Sequence, residues 1–131
     1  MGRLTGVRVI PLEDVPPIEL PGGSWSRVIL TGERVASSSA LGFSSFAARS
    51  STAMLSHATE ELAYVISGQG ELRLDEEVVP YQAGSALFIP AGVWHAVANT
   101  GDEPVTMVFT FPHPDYPPTE RRTAATPTPA R

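Results

Sequence analysis

The sequence predicts an all-β domain, an antiparallel sandwich or barrel of about eight short strands. Three observations predict it. No window of helical length carries an apolar stripe at i, i+3, i+4 and i+7 bounded by a cap and a glycine. Thirteen prolines and 11 glycines among 131 residues, with only 18% charged residues, favour many short segments joined by turns. Short runs rich in Val, Ile, Phe, Tyr and Thr recur, each followed by a cluster of Gly, Pro, Asn or Asp.

Taken in order, the runs are Val7 to Ile10, Ser26 to Thr31, Leu41 to Ala48, Leu62 to Ile66, Gly70 to Leu74, Ala86 to Ile89, Trp94 to Ala98 and Val105 to Phe111. Gly68 and Gly70, between two of them, supply the positive-φ residues of a hairpin turn. Pro90, Ala91 and Gly92 turn the chain tightly and send His95 into the next strand. Three regions follow: an arm and edge strand over 1–24, the barrel over 25–112, and a Pro- and Thr-rich tail over 113–131 without apolar periodicity. Most of that tail, its last dozen residues above all, is expected to be disordered, and truncation after Pro118 to leave the fold intact.

Composition excludes several kinds of chemistry. The chain has no cysteine and no lysine, so thiol nucleophiles, thiolate metal sites, disulfides and Schiff-base chemistry are impossible. The net charge is -5, and the arginines stand singly apart from Arg121 and Arg122, which argues against a nucleic-acid surface. The longest uncharged apolar stretch, around Ala83 to Val93, is too short to span a bilayer. The N-terminus lacks the pattern of a secretory signal. A cytoplasmic protein that uses neither membrane nor nucleic acid is expected.

Three histidines are present, and two fall in strand-like contexts with an acid nearby. His57 and Glu61 lie four residues apart at the mouth of a strand, and His95 follows the Pro90 turn. Together they make two nitrogens and one oxygen, a donor set suited to a divalent first-row metal with open positions. The competing reading makes each histidine a hydrogen-bonded core or surface residue.

At these residues the chain resembles the cupin superfamily. The second cupin motif is complete: Gly84, five residues, Pro90, one residue, Gly92, two residues, His95, three residues, Asn99. The first keeps His57, Glu61 and the closing Gly68, while Arg49 stands at its opening glycine and Leu55 at its first histidine. The resemblance implies a small jelly-roll barrel with one divalent metal (Fe, Zn, Mn or Ni) on His57, Glu61 and His95. Leu55 cannot be a ligand. A barrel that has lost its metal is the alternative.

Period-two alternation puts Ala63 and Val65 on the face of Glu61, Val97 on that of His95, and Val105, Met107, Phe109 and Phe111 on one face of the last strand. Leu55, Ala63, Val65, Val97, Met107, Phe109 and Phe46, or Phe43 in its place, are therefore expected to line the pocket. Glu60 and Tyr64 are the candidate catalytic residues, with Tyr81 as a further protic group. Asn99 is expected to tie a turn. Arg49, a candidate for a substrate carboxylate, and His113 also fit the description of surface residues. The resemblance implies a metal-dependent enzyme, with oxygenase, decarboxylase, lyase or isomerase chemistry on a partly apolar, oxygen-chelating small molecule. A non-catalytic binding module, sensor or accessory subunit, is the second reading. A homodimer is expected, through Val7 to Ile10 or Ser26 to Thr31.

Overall fold

The protein is described by a computed structural model covering residues 5–122. The strands are β1 (Ile18–Glu19), β2 (Trp25–Leu30), β3 (Ala40–Phe46), β4 (Ser50–Ser51), β5 (Met54–His57), β6 (Glu61–Ser67), β7 (Gln69–Arg73), β8 (Val78–Gln82), β9 (Ala86–Ile89), β10 (Ala96–Asn99), β11 (Val105–Phe111) and β12 (Thr119–Arg122). A helical turn, Gly32–Val35, caps its N-terminus with Thr31, whose side chain accepts from Arg34 N. No helix among the described residues is long and apolar enough to cross a membrane.

The pairings are antiparallel and form a jelly-roll barrel. One sheet runs β1-β2-β3-β11-β6-β9, a second runs β4-β10-β7-β8, and β12 pairs with β5. Leu55 and His95 exchange both backbone hydrogen bonds, at 2.8 and 2.9 Å, so β5 and β12 extend the second sheet past its edge.

Alternation builds the core. β3 and β11 each bury every second residue, which turns Phe46, Met107, Phe109 and Phe111 inward to pack with Val65, Leu72 and Tyr81. Phe43, one step out of phase with Phe46, lies on the outer face against Trp25 at 5.9 Å between ring centroids. Asn99 ties its turn as expected: its amide donates to the Phe46 and Glu103 carbonyls, and its oxygen accepts from Gly101 N.

Three expectations need correction, and the strand β8 escaped the sequence reading. Val7 to Ile10 is not a strand, because it has no pairing partner and leaves Val7 and Val9 exposed. Gly68 makes no hairpin: β6 and β7 belong to different sheets, and Gly68, at φ +90°, turns the corner between them. A Cβ there would lie 2.7 Å from Val105 Cγ2. Pro80 hides β8 from pattern reading, yet a proline is tolerated because β8 is an edge strand with a free side. Finally, residues 113–122 are ordered: Thr119–Arg122 pair with Met54–His57, Gly32 N donates to Pro114 O, and Ala58 N donates to Pro118 O. The rest of the predicted tail, 123–131, lies outside the described residues.

Candidate metal centre

His57 ends β5 and Glu61 begins β6, so the three-residue turn between them folds two side chains four positions apart back onto each other. The Pro90 turn delivers His95, which its backbone exchange with Leu55 locks beside β5, and Gly92 N donates to His57 O at 2.9 Å. Three segments distant in sequence therefore converge. Glu61 Oε1 lies 3.3 Å from His57 Nε2 and 3.8 Å from His95 Nε2, and all three donor atoms fall within 4.8 Å of one another. Both imidazoles are buried, and the Glu61 side chain is 14% exposed.

The opposite ring nitrogens decide which tautomers are present. His95 Nδ1 is 2.9 Å from the Val93 carbonyl, which only accepts, so this nitrogen carries the proton. His57 Nδ1 is 2.8 Å from Thr119 Oγ1, and that hydroxyl is also 2.8 Å from the Pro117 carbonyl. Thr119 has one proton, and Pro117 takes it, so Thr119 accepts from His57 Nδ1–H. In the neutral form of each ring Nε2 therefore carries the lone pair, and both Nε2 atoms face the Glu61 carboxylate. Burial pushes the His95 pKa below the ordinary histidine value, outweighing the raising effects of the Val93 bond and of Glu61, and this keeps the ring neutral.

Three lone-pair donors with both outer nitrogens already spent form an arrangement that a cation stabilises. The 3.3 Å separation is close to the roughly 3 Å spacing of neighbouring ligands around an ion held at about 2.0–2.2 Å, and the 3.8 Å separation is wider than it. Leu55 sits beside them and offers no donor atom, so at least one position on a bound ion would face away from protein ligands.

The cavity next to the donors is lined by Phe46, Leu55, Val97, Phe109, Phe111 and Leu20, with Ser26, Ser44 and Thr52 as polar points. Four of the expected pocket residues are among them. Ala63, Val65 and Met107 are buried in the core behind it and do not reach the cavity. Glu60 and Tyr64 are turned away: both are exposed, and the alternation that points Ala63 and Val65 inward points Tyr64 outward. Tyr81 is also elsewhere, its hydroxyl donating to Ala98 O at 2.8 Å in the core. Arg49 pairs with Asp102 on the surface, and His113 bonds within its own turn to Asp115.

Sequence reasoning missed Tyr116, Thr119 and Arg121. The Tyr116 ring meets His57 and Phe111 edge-on at 5.5 and 5.2 Å, and with Arg121 and Pro21 it forms the exposed rim of the cavity. Desolvation, then the Glu61 carboxylate, push the Tyr116 hydroxyl up to about 12, so it stays protonated well above neutral pH. The signal that could have found these residues is slight: a threonine and an arginine two apart, the spacing of one strand face.

The chain belongs to the cupin domain family, which it matches over residues 42–111. It is 34% identical over 106 residues to the polyketide synthase CurC of Streptomyces cyaneus, covering 78% of this chain and 67% of that protein. It is also 34% identical over 116 residues to the protein SchB of Streptomyces halstedii, covering 82% of each. Among solved structures it is similar to the polyketide cyclase RemF of Streptomyces resistomycificus, with a TM-score of 0.75 and 20% identity over 92% of this chain and 88% of that one.

Proposed function

We propose that this cupin is a metal-dependent enzyme that binds and folds β-dicarbonyl compounds of the polyketide type, promoting their cyclisation. The observation that carries the reading is the convergence of His57 Nε2, His95 Nε2 and Glu61 Oε1 at the floor of an apolar cavity. The similarity to CurC directs the choice of substrate class.

His57, Glu61 and His95 would hold one divalent ion, which supplies Lewis acidity toward chelating oxygens. The cavity offers about 80 Å³ beside the donors, enough for a two-oxygen head group, and opens at the rim formed by Pro21, Tyr116 and Arg121. The rest of the substrate must therefore lie along the rim. Leu55, Val97 and Phe109 would keep water from the head group, and Pro21 and Tyr116 at the rim would meet the carbon chain. Tyr116 at the rim holds a proton that its hydroxyl can offer to an oxygen gaining negative charge, as a carbonyl does when a carbon nucleophile adds to it. The reading includes a homodimer, for which the exposed Leu62, Tyr64, Ile66 and Phe88 on the outer face of the large sheet offer an apolar surface.

The test is metal analysis of protein purified without added metal, followed by incubation of the zinc-, manganese- and iron-loaded forms with a synthetic tri-β-ketone thioester. One equivalent of metal, lost in His95→Ala, and a cyclised product formed only by loaded protein are expected. Equal product from metal-free protein would overturn the metal dependence. Binding without product across all three metals would favour a non-catalytic module.

A further inference from the structure

Antiparallel register fixes which residues of β12 look into the cavity. Thr119 stands opposite His57 and Arg121 opposite Leu55, so these four share one face. The hydrogen bond from His57 Nδ1 to Thr119 confirms the phase. The next residue, Arg122, goes to the other side, where it pairs with Asp75 and lies 4.4 Å over the Trp94 ring. With Arg122 anchored there, Arg121 is directed to the rim of the cavity that His57, Glu61 and His95 floor.

Of the seven described arginines, Arg121 and the exposed Arg8 of the N-terminal arm differ from the rest in what they hold. Arg27, Arg34, Arg49, Arg73 and Arg122 each donate to a protein oxygen. Among the described residues Arg121 has no such acceptor. It is also the only fully charged base lining the cavity, and its cross-strand neighbour Leu55 leaves that side of the three donors without a protein ligand. A guanidinium there would oppose a second metal ion and favour an incoming anion. A chelating ligand that is neutral in water but readily ionised would meet the three donors on one side and a fixed positive charge on the other.

We propose that Arg121 is a specificity-determining residue that selects the ionised form of the substrate, the enolate of a 1,3-dicarbonyl, by holding its anionic oxygen at the side of the site that Leu55 leaves without a ligand. This rests on the functional reading above and adds the ionisation state to it. The guanidinium lowers the pKa of the dicarbonyl in the bound state, so its central C–H proton is given up to solvent water and the carbon between the two carbonyls becomes nucleophilic near neutral pH without a protein base. That accounts for an active cavity whose only carboxylate is a metal-ligand candidate.

The test uses benzoylacetone, whose enolate absorbs at longer wavelength than its neutral forms. The pH midpoint of the bound probe is measured spectroscopically in zinc-loaded wild type, Arg121→Gln and Arg121→Lys, with butyrophenone, which lacks the acidic carbon, as the neutral control. The expected result is a midpoint higher by about one pH unit in Arg121→Gln, about tenfold weaker binding of the probe at pH 7, partial recovery in Arg121→Lys and no change for butyrophenone. Unchanged thermal melting and zinc content show that the variants are folded and loaded. An equal midpoint in wild type and Arg121→Gln overturns the proposal, as does an equal loss of butyrophenone binding, which would mean that Arg121 only shapes the rim. If no loaded form yields a cyclised product while the Arg121→Gln shift persists, the cyclisation reading fails and this inference stands.

Discussion

Replacing Thr119 with valine isolates one hydroxyl at nearly constant shape. In the native site that hydroxyl is committed twice, donating to Pro117 O and accepting from His57 Nδ1, each at 2.8 Å. Valine leaves His57 Nδ1–H without an acceptor in a ring whose side chain is only 3% exposed. An unsatisfied buried donor costs about 1–3 kcal/mol, and the ring can avoid that cost only by rotating or changing tautomer, which removes its Nε2 lone pair from the site. Either outcome weakens metal binding. Loss of the partner of a ligating histidine typically costs 10- to 100-fold in affinity, or about 1.4–2.7 kcal/mol. The assay is competition for zinc or cobalt against a chromophoric chelator, with imidazole ¹⁵N shifts of the metal-free protein reporting the tautomer. Thr119→Ser, which keeps the hydroxyl, should recover most of the affinity. Binding by Thr119→Val within twofold of wild type, with His57 still protonated at Nδ1, would refute the argument that Thr119 fixes the ligand.

Four further outcomes follow from the same geometry. Glu61→Gln should reduce affinity for a divalent ion at least tenfold in the same competition assay, since the site loses its only negative charge. Leu55→His should add a fourth donor beside His95 and tighten zinc binding; unchanged affinity would show that position 55 does not reach the ion. Truncation after Pro118 should lower both melting temperature and metal affinity, the reverse of the sequence expectation, because it removes Thr119 and the β12 pairing. Alkaline stability is governed in part by Tyr81, whose pKa burial, with help from Glu71, raises from 10.0 to about 12. The native state thus favours the protonated phenol: its contribution is complete below pH 10 and disappears as pH climbs toward 12, to a limit of about 3 kcal/mol. Denaturant titrations at pH 9 and 11 should show this slope, and Tyr81→Phe should flatten it.

The convergence of His57, Glu61 and His95 was legible because their constraints are local. His57 and Glu61 are separated by one turn, and His95 is fixed by Pro90 and Gly92, so spacing along the chain carries the geometry. The inward face of β11 was legible for a similar reason, strict alternation of large apolar residues over Val105–Phe111. Thr119 and Arg121 were not. Their contact with β5 spans 62 residues between His57 and Thr119, and both faces of the strand are polar, so no periodicity marks it. Prolines at 112, 114, 117 and 118 gave the segment the composition of disorder, whereas here they stiffen a connection that crosses the barrel mouth. Glu60 and Tyr64 were misplaced by nearness in sequence to Glu61, which alternation in a strand converts into opposite faces.

The pairing of β12 with β5 also bears on how such a protein changes over generations. The candidate metal donors sit in the barrel, where His95 Nδ1 is bonded to the Val93 carbonyl and His57 Nδ1 to Thr119. The groups at the rim, Tyr116 and Arg121, belong to a short carboxy-terminal stretch whose only sheet partner is β5. Substitutions at Arg121 can therefore accumulate without repacking Val65, Phe109 or Phe111. A change of rim chemistry that spares Thr119 also leaves the orientation of both imidazoles as it is.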